Sequence, residues 1–390
     1  MAGAMSDELT RLRRHFHANP EVSWEEVETS RFIEAYLRDL GLENVRRGFG
    51  GGECGVLADL SGAHDGPCVA LRADIDALRI VEQNTFDYRS RNEGAMHACG
   101  HDGHAAVLLG AARLLSSMKD ELSGRVRFIF QPAEEHGSRS GAAEMVAGGA
   151  LGGVGAIGGM HLWSFLPTGT VQWKVGPVMA AADNWRVIFK GRGGHGAMPH
   201  EAVDPTVAAG AFIGAIQAIV SREVDPLKTV VVSLGILRAG DAFNVIPDSA
   251  YLEGNMRTFE QATRSDVQEK IRRIAGGIAE AYRCTAEVEL SPMFLPVTND
   301  AFVTEVLKEA AEMVVGRDRM EESPLQMVSE DFSIYQQQVP GTFFFLGTGC
   351  AEKGTDRAHH SPSFNVDDAS LPTGVAVMSV FALRALERMK

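Results

Sequence analysis

Cysteine is scarce and scattered. The five residues Cys54, Cys68, Cys99, Cys284 and Cys350 are odd in number and lack framework spacing. This excludes a disulfide-built scaffold and is the usage expected in a reducing compartment. Positive charge is the minority sign, with 37 Lys and Arg against 51 Asp and Glu and a net charge of -14, and no basic run stands out. Nucleic acid and anionic membrane are therefore not expected as partners. Long hydrophobic runs are missing too: none approaches the length of a bilayer crossing, and the short stretch 1–6 carries no signal-peptide core. The expectation is a cytoplasmic protein.

At 390 residues the chain exceeds the size of one ordinary core, and 45% hydrophobic residues supply apolar material for two. The densest chemistry lies in residues 96–104, Met96-His97-Ala98-Cys99-Gly100-His101-Asp102-Gly103-His104, where three histidines, a cysteine and an aspartate crowd together. All of these can bind a transition metal or orient a ligand to one. Cys99 and His101 are two apart, so in an extended segment both project to one side. His97 and His104, taken singly, read equally well as core histidines. Residues 105–118 follow as a helix with Leu108, Leu109, Ala112 and Leu115 on one face, which places the cluster where a loop becomes a helix.

Two amphipathic helices are expected over 7–40, broken at Asn19-Pro20 and closed by Gly41. Apolar runs at 68–72, 126–130, 156–160 and 342–346 read as buried strands, and their alternation with helices points to an α/β fold with a mostly parallel sheet covered on both faces. Asp74, Glu134 with Glu135, and His161 come just after the first three runs. Ligands in open α/β sheets sit beyond strand carboxyl ends, so these segments should converge. Between 182 and 292 the order becomes βαββαβ, a ferredoxin-like unit inserted into a discontinuous first domain of 1–181 and 293–390.

Glu134 and Glu135 follow Pro132, and adjacent residues present their side chains differently, so one carboxylate can bind metal while the other moves protons. His161 and one of His359 and His360 could complete a ligand set. Thiolate, imidazole and carboxylate together suit zinc, manganese, nickel, cobalt or iron over calcium or magnesium. Five protein ligands exceed the need of one tetrahedral zinc, which favours two ions sharing a water. In the inserted unit, the run Gly191-Arg192-Gly193-Gly194-His195-Gly196 lacks a P-loop's lysine and spacing; its glycines let His195 approach something closely. Asn244 and Arg257 are the other candidates there, Arg257 either as a carboxylate clamp or in a surface salt bridge.

These residues resemble the M20 metallopeptidase group, in its amidohydrolase branch with hippurate hydrolase, N-acetyl-diaminopimelate deacetylase and the auxin-conjugate hydrolases. The likeness runs through His17-Ala18-Asn19-Pro20-Glu21, Leu71-Arg72-Ala73-Asp74-Ile75-Asp76-Ala77-Leu78, 96–104, 131–135, 194–200, 243–247, Glu330-Asp331-Phe332 and His360-Ser361-Pro362. The resemblance implies a zinc-exopeptidase-like catalytic domain in which Cys99, His101, Glu135, His161 and His360 hold two divalent ions, Mn2+ or Zn2+ foremost, with Ni2+ or Co2+ as further candidates. It implies Glu134 as general base and acid, and the insert as a lid and dimerisation domain. His195 would stabilise the tetrahedral intermediate, with Asn244 and Arg257 near the substrate carboxylate and Asp74 and Asp102 behind the ligands. The implied reaction is hydrolysis of N-acyl-amino acids by a homodimer or dimer-based tetramer. The alternatives are a dipeptidase or aminoacylase of the same family and, in another class, a hydrolase with Cys99 as nucleophile. Arg72 replaces the metal-binding histidine of the wider group. Arg79 departs from the branch's usual proline, and 136–141 is slightly longer than usual; both bear on substrate preference.

Overall fold

The computed structural model describes all 390 residues, and the chain divides into two compact units. One comprises Met1–Gly176, Thr298–Pro324 and Asp331–Lys390; the other comprises Pro177–Val297 and Leu325–Glu330.

The larger unit is an α/β fold around an eight-stranded sheet. In spatial order its strands are Glu43–Arg47, Val56–Ser61, Ser123–Gln131, His64–Asp74, Ala156–Pro167, Gly341–Gly349, Val171–Trp173 and Met320–Glu322. The four central strands, from Ser123–Gln131 to Gly341–Gly349, are mutually parallel. Antiparallel pairs flank them at Val56–Ser61 and Val171–Trp173. The central strands are buried on both faces; on one of them Leu71, Phe128, Met160 and Phe344 share a core with Leu108, Leu109 and Phe381 of two helices.

The expected helix pair is present as Ser6–Ala18 and Val27–Asp39, with Gly41 at a φ of 75° after the second. The helix placed at 105–118 begins earlier, at His101, and runs to Ser116. Strands are also longer than the apolar runs suggested. Asp74 is the last residue of its strand, and His161 lies inside Ala156–Pro167, not beyond its end. Pairing with His64–Asp74 stops at Gly159, so from there the strand has a neighbour on one side only, and His161 can face an open site despite being in a strand. The stretches Pro205–Glu223 and Asp368–Arg388 correct another expectation, since both are helical, long and apolar enough to span a membrane by length and composition. Their apolar character has a local use. Phe212 and Ile216 of the first and Val375 and Phe381 of the second are buried in the cores of their own units.

The smaller unit follows the order Ala181–Lys190, helix Pro205–Ile216, Val230–Ala239, Ser249–Thr258, helix Gln261–Ala281, Thr285–Phe294. Its sheet is antiparallel with Ala181–Lys190 and Ser249–Thr258 in the middle, the split-βαβ arrangement. Val267, Ile271, Ala275 and Ala279 recur at helical spacing and pack with Trp185, Phe189 and Phe212. Asp183 and Arg264 form a two-pronged ion pair at 2.6 and 2.7 Å within that unit.

Candidate metal centre

Cys99 and His101 do come together, though not by the extended geometry the spacing suggested. Gly100 between them takes a φ of 100° and caps the helix that His101 begins. The turn brings Sγ of Cys99 within 4.8 Å of nitrogens of both His101 and His161, and Cys99 also forms a second such triad with Glu135 and His360. Two donor sets thus share one sulfur. His101 joins Glu134 and Glu135 in a third cluster of the same dimensions.

The ring orientations fit a cation. His161 donates Nδ1–H to the carbonyl of Leu162 at 2.7 Å, leaving Nε2 as the acceptor nitrogen 3.5 Å from Cys99 Sγ. His101 gives Nδ1–H to Asp76, whose main-chain oxygen lies at 2.9 Å and Oδ1 at 3.2 Å, and its buried Nε2 has no hydrogen-bond partner. Burial opposes a charge on His101, but Asp74, Asp76 and Glu135 outweigh it and push its pKa up to about 10. A cation in the cluster would take the place of that proton. Burial, Glu135, Glu134 and Asp74 also hold the Cys99 thiol well above its ordinary pKa, the opposite of what a thiol nucleophile needs. A bound divalent ion would reverse that preference, so the donor set suits a metal and does not suit the thiol-hydrolase alternative.

Of the two neighbouring histidines, His360 faces the carboxylate, with Nε2 3.1 Å from Glu135 Oε1. His359 stands behind the sulfur. Its Nε2 accepts the Ser164 N–H at 3.3 Å, and its Nδ1 lies 3.9 Å from Cys99 Sγ. His104 is structural: Nδ1 pairs with Asp74 and Nε2 accepts the Leu162 N–H at 2.9 Å.

The supporting aspartates differ from the sequence reading. Asp74 binds His104 and Arg72, and its nearest approach to His101 Nε2 is 3.7 Å. Asp102 takes Arg13 Nε at 2.7 Å and His17 Nδ1 at 2.8 Å. Consecutive helical residues point about 100° apart, so Asp102 serves the neighbouring helix and not the cluster. The residue that orients His101 is Asp76, which sequence reasoning passed over. Its place two residues after Asp74 in an extended run was the available signal. Asp76 also accepts Glu135 N–H at 3.0 Å and Ser23 Oγ at 2.7 Å. Ala133 holds the turn before the two glutamates at a φ of 51° and donates its N–H to buried Glu26 at 2.8 Å.

In the smaller unit, Gly194–His195 pairs with Val245–Ile246, next to Asn244, and both His195 and Asn244 are exposed. Arg257, on Ser249–Thr258, is not in a surface ion pair; Nη1 is buried without a hydrogen-bond partner and burial lowers its pKa.

The sequence model described as peptidase family M20/M25/M40 matches residues 70–384. N-acetylcysteine deacetylase of Bacillus subtilis is 41% identical, over 99% of this chain and 99% of its own. IAA-amino acid hydrolase ILR1-like 4 of Arabidopsis thaliana is 38% identical, over 98% of this chain and 87% of its own. Among solved structures, the Bacillus subtilis YXEP protein, a dinuclear metal binding peptidase from the M20 family, superposes with a TM-score of 0.87 at 37% identity, covering 99% of each chain.

Proposed function

The chain belongs to peptidase family M20/M25/M40, and from that premise we propose that it hydrolyses the amide bond of N-acyl-amino acids, with acyl groups such as acetyl or benzoyl, releasing a carboxylic acid and a free amino acid. The observation that carries the reading is the pair of donor triads sharing Cys99, with Glu134 beside Glu135 at their edge. Deacetylase and amino-acid-conjugate hydrolase activities in relatives named for them support the substrate class.

Cys99, His101, Glu135, His161 and His360 would hold two divalent ions, manganese or zinc before nickel or cobalt. Such ions supply Lewis-acid polarisation of the amide carbonyl and a more acidic attacking water. Glu134, with its neighbour committed as a ligand, takes the proton from that water and delivers it to the leaving amine. Asp76 keeps the His101 lone pair aimed into the cluster. His195 is assigned to the oxyanion and Asn244 and Arg257 to the substrate carboxylate; the unpartnered Nη1 of Arg257 supports an anion there. The reading includes assembly as a homodimer or a dimer-based tetramer through the smaller unit.

The test is a panel of N-acetyl, N-benzoyl and N-indoleacetyl amino acids, with dipeptides alongside, offered to manganese-loaded protein. Turnover of acylated amino acids above dipeptides is expected. Preferential cleavage of dipeptides would transfer the reading to a dipeptidase.

A further inference from the structure

The loop that carries Glu134 and Glu135 is gripped at both ends by a single carboxylate. Asp331 Oδ1 and Oδ2 both accept Gln131 Nε2 at 2.9 Å, at the end of strand Ser123–Gln131. At the other end Oδ2 accepts Ser140 Oγ at 2.6 Å and the Ala142 N–H at 3.3 Å, where helix Gly141–Ala147 begins. The ends also meet directly: Gly141 N–H donates to Ala133 O at 3.2 Å, and a Cβ on Gly141 would lie 1.6 Å from the carbonyl oxygen of Pro132.

Arg72 joins this grip to the other half of the cluster. Its Nη2 donates to Asp331 Oδ1 at 2.9 Å, Nε to Gln131 Oε1 at 2.9 Å and Nη1 to Asp74 Oδ2 at 2.8 Å. Asp74 in turn holds His104, in the first turn of the helix that starts with His101. Arg72, Asp74 and Asp331 are fully buried, so each depends on the others for compensation.

We infer that Asp331, with Arg72 behind it, is a positioning residue that sets the Glu134–Glu135 loop against the Cys99–His101 turn, so that one metal site and the proton-transfer carboxylate are placed together. Arg72 Nη2, Gln131 Nε2, Ser140 Oγ and the Ala142 N–H all donate to the Asp331 oxygens. Asparagine, which keeps the shape, must turn an NH2 towards one of these donors and cannot replace the carboxylate. The role requires that loosening the loop weakens the site using Glu135 and slows the step using Glu134, while substrate affinity stays unchanged.

The inference rests on the amide-hydrolase reading for its kinetic arm only; metal titration tests it independently. Asp331→Asn, Ser140→Ala and Ser140→Thr are compared with the parent by calorimetric titration with Mn2+ and, at saturating metal, by kcat and KM. In Asp331→Asn and Ser140→Ala one Mn2+ equivalent, the one bound through Glu135, should loosen by about tenfold or more while the other holds. In both, kcat should fall with KM unchanged, and Ser140→Thr, which keeps the hydroxyl, should restore both quantities. A purely structural role would lower Tm alone. Unchanged affinity for both equivalents in the folded variants, or unchanged kcat at saturating metal, overturns the inference. If Asp331→Asn does not fold, the Ser140 pair decides. If the parent turns over no N-acyl-amino acid, the functional proposal falls and the titration still judges the clamp.

Discussion

Asp76 accepts the backbone N–H of Glu135 at 3.0 Å while its other side-chain oxygen lies 3.2 Å from Nδ1 of His101. One carboxylate thereby holds two of the five proposed ligands from behind. In Asp76→Asn one of these donors would face an NH2 group, and metal affinity should drop by about 10- to 100-fold. Titration of the variant with Mn2+ checks this; affinity equal to the parent's would remove Asp76 from the site's support.

Glu134→Gln should separate binding from chemistry. The amide keeps the size of the side chain but cannot take a proton, so both metal equivalents should remain while kcat falls by about 10²- to 10⁴-fold. Metal analysis with steady-state kinetics reads both quantities. Turnover at the parental rate would exclude Glu134 as the base.

Chelation distinguishes metal chemistry from thiol chemistry. Metal bound only to the folded state should stabilise it by about 2.7 kcal/mol at a hundredfold excess over Kd. Removal should lower Tm by several degrees and abolish turnover, with both restored by Mn2+. Activity that survives complete chelation would favour Cys99 as nucleophile.

Glu26 predicts an unusual pH dependence of stability. Burial, followed by the charge of Asp76, raises its pKa from 4.5 to about 8. Between these values the folded state keeps a proton that the unfolded chain has released, so this contribution to stability is full below about 4.5 and is lost as pH rises towards 8. Glu26→Gln can still accept the Ala133 N–H and has no proton to lose. Its Tm should gain on the parent's from pH 5 to pH 8. Parallel Tm curves would show that Glu26 ionises normally.

Much of the fold was legible because it rests on local pattern. The break at Asn19-Pro20, the apolar runs of the central strands and the βαββαβ order all report hydrophobic periodicity and backbone chemistry within a few residues. Strand ends were less legible. Asp74 and His161 are polar residues inside strands, allowed there because a neighbouring strand stops short or a buried arginine compensates.

By itself the sequence determined the donor chemistry: a thiol, imidazoles and two adjacent carboxylates, in an order that pointed to one family. Only the tertiary structure decided which of them meet. It put the left-handed turn at Gly100 between Cys99 and His101, set His360 against Glu135 and His359 behind the sulfur, and turned Asp102 away towards Arg13. It also made Asp76 the hydrogen-bond partner of His101 and brought Asp331 to the loop of Glu134. Ligand identity is a property of side chains, whereas pairing among buried charges is settled by which distant segments share a desolvated space, and sequence spacing does not encode that distance.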